Sequence, residues 1–206
     1  MSGGFISRGF KGRRQEADVS GRLPPGQHLE SGFPVLSAGP TPHTPLDQWD
    51  FSIAGSVKAP KRWSWNDLLA FPHETPTVDI HCVTKWSKLD TRWEGVSVDL
   101  LLGQVEYDPT AVRYATAFSE GDYTTNLPLA DLLGGKAWVV FGYDGKPLDP
   151  VHGGPARLLV PHLYFWKSAK WVRGLRLMEQ DRSGFWESLG YHNYGDPWKE
   201  QRYSGD

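Results

Sequence analysis

The feature that most limits what this 206-residue chain can fold into is its punctuation: 23 glycines and 16 prolines cut it into short runs. Short runs bounded by Gly and Pro favour strands and tight turns over long helices. From Trp49 to Val57, Trp49, Phe51 and Ile53 alternate with Asp50, Ser52 and Ala54, the period-two pattern of a half-buried strand. Thr75 to His81 places Val78 and Ile80 on one face and delivers Cys82 at its end. Arg113–Phe118, Tyr123–Leu127, Arg157–Val160 and Trp171–Met178 read as further strands, the last imperfect about Gly174. Trp138–Tyr143 followed by Asp144-Gly145 is a hairpin signal, because that turn needs positive φ. Ser64-Trp65-Asn66-Asp67 resembles a capping box opening a short helix that Pro72 ends, and Ser97–Leu102 reads as a second. Many short strands with few, short helices imply a β-rich α+β fold.

The length suits one core. Residues 1–32, rich in Gly, Arg, Ser and Pro without periodicity, read as a partly extended arm, and residues 33–206 as a single domain. Pro34, Pro40, Pro42 and Pro45 make the start of that domain extended and loop-like. The aromatic tail from Phe185 to Tyr203 has no clear period and is expected to pack across the domain surface.

A net charge of -2 with both signs interspersed lacks the basic face that a nucleic-acid binder needs. No apolar run approaches the roughly 18 residues of a membrane span, so no membrane insertion is expected. Arg13-Arg14 is followed by polar Gln15-Glu16-Ala17-Asp18, where an export signal would turn apolar, so a cytoplasmic location is expected. One cysteine excludes an internal disulfide, a multi-thiolate zinc site and a Cys-x-x-Cys-His haem attachment. Neither a phosphate loop nor a dinucleotide fingerprint is present.

Two clusters carry chemistry. The first, His81-Cys82-Val83-Thr84-Lys85-Trp86-Ser87 with Arg92-Trp93-Glu94-Gly95-Val96, surrounds the thiol with cations and indoles. A nearby cation favours thiolate, the form that ligates soft metals, although a lone cysteine is also commonly a buried small hydrophobe. The second runs from His152-Gly153-Gly154-Pro155-Ala156-Arg157 to His162 and then Lys167-Ser168-Ala169-Lys170-Trp171. Its glycines allow close backbone approach, and its cations and hydroxyl suit a phosphate ester, although solvated basic turns are ordinary. The ten tryptophans read mostly as core and rim packing.

Three ordered blocks carry a resemblance: Cys82–Ser87 with Trp93–Val96, the run from Gly121 to Leu129, and Gly153–Arg157 through Lys167–Trp171. Together they resemble the molybdopterin-binding domain of sulfite-oxidase-like oxidoreductases and, more distantly, the catalytic subunit of the periplasmic methionine sulfoxide reductase. The similarity spans roughly Phe33 to the C-terminus. It implies a β-rich fold of mixed sheets with short helices, and a molybdenum-loaded molybdopterin whose metal takes Cys82 as sole protein ligand. The resemblance assigns Ser119 to the pterin, His152 and Arg157 to the cofactor, and Lys167, Ser168, Ala169 and Lys170 to its terminal phosphate. Further contacts are implied from Val35–Pro40, and His152 stands where export-type relatives carry Asn. Lys85, Arg92 and His81 are candidates for steering substrate.

The implied reaction is two-electron oxygen-atom transfer on a small sulfite, sulfoxide or N-oxide, with electrons exchanged through a separate partner. Two readings compete. One is a non-enzymatic, tryptophan-rich ligand-binding module; the other is a cysteine hydrolase pairing Cys82 with His162 or His152.

Overall fold

The computed structural model describes residue 19 and residues 21–206. The arginine pair at 13 and 14, on which the export reading turned, lies outside the described residues. Among those described, eleven strands and three short helices run in the order β1 (His28–Leu29), β2 (Asp50–Gly55), β3 (Lys61–Ser64), α1 (Trp65–Leu69), β4 (Thr77–His81), β5 (Trp86–Ser97), α2 (Val98–Leu102), β6 (Tyr114–Ser119), β7 (Thr124–Pro128), β8 (Trp138–Tyr143), β9 (Lys146–Pro147), β10 (Arg157–Leu159), β11 (Val172–Met178) and α3 (Phe185–Ser188). No helix among them is long and apolar enough to cross a membrane.

The strands form two mixed sheets. One has the path β1-β5-β8-β10, with β4 also paired to β5 and β9 to β8; the other has the order β3-β2-β11-β6-β7. β1 runs parallel to β5 and β11 parallel to β2, while the remaining pairings are antiparallel. This is the β-rich, mixed-sheet architecture with short helices that the sequence implied.

Local chemistry explains the elements that were legible. Ser64 caps α1 through its side chain, and Asp67 accepts from the Ser64 backbone at 2.9 Å, a reciprocal box that contributes about 1 kcal/mol. Asp144 and Gly145 take φ of 51° and 75°, closing the β8–β9 hairpin. β3 and the twelve-residue β5 were not anticipated.

Alternate residues of the five-stranded sheet, Phe51, Ile53, Ala115, Ala117, Leu175 and Leu177, bury against Leu68, Leu101 and Val139 in the main core. Each large apolar side chain so buried contributes about 1.5–3 kcal/mol before chain entropy is subtracted. A second cluster, built on Ile80, Trp86, Trp93, Val140, Leu159 and Phe165, includes Cys82 itself. β1 and Glu30 lie along β5 of the six-stranded sheet: the His28 and Glu30 amides donate to the Lys85 and Ser87 carbonyls at 2.8 Å.

Candidate active site

After β4 the chain reverses through Cys82–Lys85 and enters β5. The Lys85 amide donates to the Cys82 carbonyl at 3.0 Å and the Cys82 amide to the Trp86 carbonyl at 2.8 Å, with Lys85 at φ 75° closing the turn. Buried Ile80, Val83 and Trp86 anchor both flanks, leaving Cys82 7% exposed. Its sulfur accepts from the Thr84 hydroxyl at 3.2 Å. Burial pushes the thiol up, opposed by hydrogen bonds from Thr84 and Val83 and by the charge of Arg202.

The cations that the sequence placed beside the thiol lie outside the cavity. Lys85 is exposed and outside the cavity onto which Cys82 faces. Arg92 is exposed on β5 and pairs with Asp144 at 3.0 Å beside the hairpin. The turn and the strand pleat carry both outward, away from the thiol that they were expected to flank. His81, also buried, hydrogen-bonds Ser87 at 2.8 Å and is pushed down to about 4 by burial, so its ring is neutral.

Cys82 lines a cavity of about 490 Å³ together with Trp86, Arg157, Phe165, Ser168 and Lys170. The Pro-rich segment between Phe33 and Pro42 supplies one wall, and Phe185, Trp186 and Tyr191 from the aromatic tail supply another. That tail was expected to pack on the surface. Instead part of it turns inward, because Glu187 is fixed beneath it. Thr84, Tyr123 and Trp166 also line the cavity, and only their aromatic or β-branched character in the quoted blocks could have marked them.

Arg157, on β10, is 1% exposed. It donates to the carbonyls of His152 at 2.8 Å and Ser168 at 2.6 Å, while its buried Nε has no partner. No ion pair among the described residues engages it, and burial lowers its pKa to about 9. Lys170 donates to the carbonyls of Leu36 at 2.8 Å and Val151 at 2.7 Å. It is pushed down to about 8, first by burial and then by Arg157. Two cations without carboxylate partners in one cavity wall make a site for an anion, since an uncompensated buried charge costs several kcal/mol.

The neighbouring positions divide. Ser168 and Ala169 line the cavity; the Ser168 hydroxyl accepts from the Val160 amide at 2.8 Å and retains its own proton to donate. Ser119 ends β6 just before the lining residues Glu120 and Gly121, and its buried hydroxyl is unpartnered. His152 offers its carbonyl to Arg157 and stacks its ring on Phe33 at 3.9 Å, one layer behind the wall. Lys167 does not reach the cavity. Its Nζ is paired with Glu187 at 2.6 Å and bonded to Asn126 and the Asn193 carbonyl, both charged side chains being 1% exposed. Its assignment to a phosphate is corrected, because its donors are already spent.

Among the described residues no group of three or more His, Cys, Asp or Glu could hold a metal ion. A metal at Cys82 would have to bring its other ligands with it, as a pterin dithiolene does. The unpartnered Arg157 Nε, the two uncompensated cations and the lone thiol fit such a group. No histidine lines the cavity, and the described hydrogen bonds to the Cys82 sulfur come from Thr84 alone. A cysteine–histidine hydrolase dyad is thus not assembled.

The comparisons agree with this geometry. Residues 38–186 match the oxidoreductase molybdopterin binding domain. The chain is 42% identical to the "Uncharacterized oxidoreductase YuiH" of Bacillus subtilis (strain 168) over 96% of its own length and 100% of the relative's. It is 28% identical to a protein-methionine-sulfoxide reductase catalytic subunit, MsrP, of Ralstonia nicotianae, covering 71% of this chain and 49% of that protein. It thus spans all of the Bacillus relative but about half of the reductase subunit. The crystal structure of the sulfane dehydrogenase SoxCD from Paracoccus pantotrophus superposes with a TM-score of 0.62 at 22% identity, over 68% of this chain and 40% of that one, and shows the shared fold. Sequence, fold and cavity together place the chain in the oxidoreductase molybdopterin binding domain family, as an enzyme of the sulfite-oxidase type.

Proposed function

We propose that the enzyme carries molybdenum on its molybdopterin, with Cys82 as the protein ligand, and performs two-electron oxygen-atom transfer on a small sulfur or nitrogen oxo substrate. The observation that carries this reading is the sharing of one cavity by the chain's single thiol and by two cations, Arg157 and Lys170, that lack carboxylate partners. When bound, the cofactor supplies a metal that changes oxidation state by two electrons as the oxygen atom passes.

The protein's own residues hold and orient. Cys82 gives up its proton on ligation, and the Thr84 hydroxyl, 3.2 Å from the sulfur, fixes the direction of the ligand lone pairs. Arg157 and Lys170 neutralise the cofactor's phosphate, with Ser168 donating its hydroxyl and Ala169 allowing close approach. Ser119 offers its unpartnered hydroxyl to the pterin. The aromatic walls exclude water from the reacting centre.

Arg157 and Lys170 are the cavity's only cations among the described residues. Once they hold the cofactor's anionic group, none is left for a dianion such as sulfite, whereas rings of Trp86, Trp186 and Tyr191 accept a neutral group. This supports a sulfoxide or N-oxide as substrate. The name of one relative, a methionine-sulfoxide reductase, points the same way. Electrons would be exchanged with a separate partner, and the single cysteine leaves no Cys-x-x-Cys-His haem attachment in this chain.

Protein made in a pterin-competent host tests the reading. Near-stoichiometric molybdenum and pterin, with sulfoxide or N-oxide turnover from an artificial donor exceeding sulfite oxidation, are expected. Metal-free, pterin-free protein would instead support the binding-module reading, and preferred sulfite turnover would overturn the substrate choice.

A further inference from the structure

The loop that presents Cys82 is held from behind by two residues far apart in the chain. Gln27 donates its side-chain amide to the Cys82 carbonyl at 3.0 Å and to the Trp86 carbonyl at 3.4 Å. Arg202 donates to the Val83 carbonyl at 3.0 Å and to the Pro25 carbonyl at 3.3 Å. The two side chains meet, with Arg202 donating to the Gln27 side-chain oxygen at 3.5 Å. Both are buried, and Arg202 also lies over the Tyr164 ring at 5.0 Å. The Arg202 guanidinium has one carboxylate within ion-pair reach among the described residues, Glu200, 3.6 Å away and half exposed, while Asp206 accepts from the Arg202 backbone amide at 2.9 Å.

The segments approach so closely that a β-carbon on Gly26 would lie 2.7 Å from a Glu200 oxygen and 3.3 Å from Arg202. The Arg202 carbonyl in turn accepts from the His192 amide at 3.1 Å, next to Tyr191 in the cavity wall. Both residues fall outside the stretch 38–186 that matches the family.

We propose that Gln27 and Arg202 form a positioning clamp on the Cys82 loop, Gln27 fixing the ligand backbone and Arg202 adding a buried positive charge behind the ligand sulfur. Three carbonyls of the Cys82–Trp86 turn are drawn to one side by these donors, so the sulfur is aimed before any cofactor arrives. A fixed cation behind a thiolate ligand stabilises the more electron-rich, reduced state of the metal it holds. Loss of the charge therefore lowers the reduction potential, while loss of the Gln27 bonds loosens the loop without changing the charge.

The mechanical half is tested on the full-length, cofactor-free protein, independently of the proposed function; the electrostatic half rests on that reading. Arg202→Met, Arg202→Lys and Gln27→Leu are compared with the parent for the rate of Cys82 alkylation by iodoacetamide, read by mass spectrometry, and for the urea midpoint. The clamp predicts alkylation about tenfold faster in Gln27→Leu, beyond what its change in global stability explains, and a smaller increase in Arg202→Met, where loss of the cation also lowers the thiolate fraction. In loaded protein it predicts a lower metal reduction potential in Arg202→Met, recovery in Arg202→Lys, and little change in Gln27→Leu. Alkylation that only tracks global unfolding, or an unchanged potential in Arg202→Met, overturns the corresponding half. If the parent retains no molybdenum the proposed function fails, and the alkylation rates still decide the clamp.

Discussion

The Arg157 guanidinium carbon lies 3.9 Å from the centroid of the Phe165 ring, so a buried cation is held by an aromatic face and two carbonyls in place of a carboxylate. Replacing it by an apolar side chain of similar length removes an uncompensated charge along with two hydrogen bonds. Arg157→Met is expected to leave the melting temperature of cofactor-free protein within about 3 °C of the parent. Cofactor retention should fall at least about tenfold, because the charge and the unpartnered Nε donor offered to an anion are lost. Thermal melts and pterin fluorescence after gel filtration measure both.

Lys167 and Lys170 stand three residues apart with opposite duties. Lys167→Met leaves Glu187 buried without its cation and is expected to destabilise the fold by about 3–5 kcal/mol in urea titrations. Lys170→Met, whose ammonium meets only carbonyls, is expected to cost less than about 1 kcal/mol of stability while weakening cofactor retention.

Burial of the same two cations gives the cofactor-free protein a pH dependence of definite sign. Lys170 falls from 10.5 to about 8 on folding, and Arg157 is lowered to about 9. Above pH 8 the unfolded chain therefore binds more protons than the folded one, so the destabilisation is complete below that pH and is relieved as pH rises toward 10.5. After discounting for the partial exposure of Lys170, the gain between about pH 7.5 and 9.5 is on the order of 1 kcal/mol, or roughly 3 °C. Melts across this window should show the rise, Lys170→Met should reduce it, and inorganic pyrophosphate should stabilise more at the lower pH.

How much was legible follows from range. The Ser64–Asp67 box, the Asp144-Gly145 hairpin and the strand delivering Cys82 are written in adjacent residues, and the structure has all three. β5 was hidden because its register shifts between Glu94 and Gly95, where the Val139 backbone approaches too closely for any β-carbon, and this breaks the alternation. β3 is a four-residue edge with one buried side chain, Trp63. In the site, the thiol and the two cations without carboxylate partners, Arg157 and Lys170, stand within the motif blocks. The occupation of Lys167 by Glu187 and the approach of Arg202 depend on long-range packing that no local pattern records.

The outward placement of Lys85 and Arg92 gives a negative prediction. Lys85→Gln and Arg92→Gln should each change kcat/KM by less than about twofold and stability by less than about 0.5 kcal/mol, since both are exposed and Arg92 has only a surface partner. Steady-state kinetics with a sulfoxide and an artificial donor, paired with urea midpoints, would reveal a larger role.

X-ray absorption at the molybdenum edge, on parent and Cys82→Ser proteins purified with their cofactor, addresses the metal–thiolate bond itself. The parent should show one more sulfur neighbour than the variant, whose turnover should be lost with its fold nearly intact, because Cys82 is the chain's only thiol. An identical sulfur count in the two proteins, with undiminished activity in the variant, would contradict the assignment of Cys82 as the ligand.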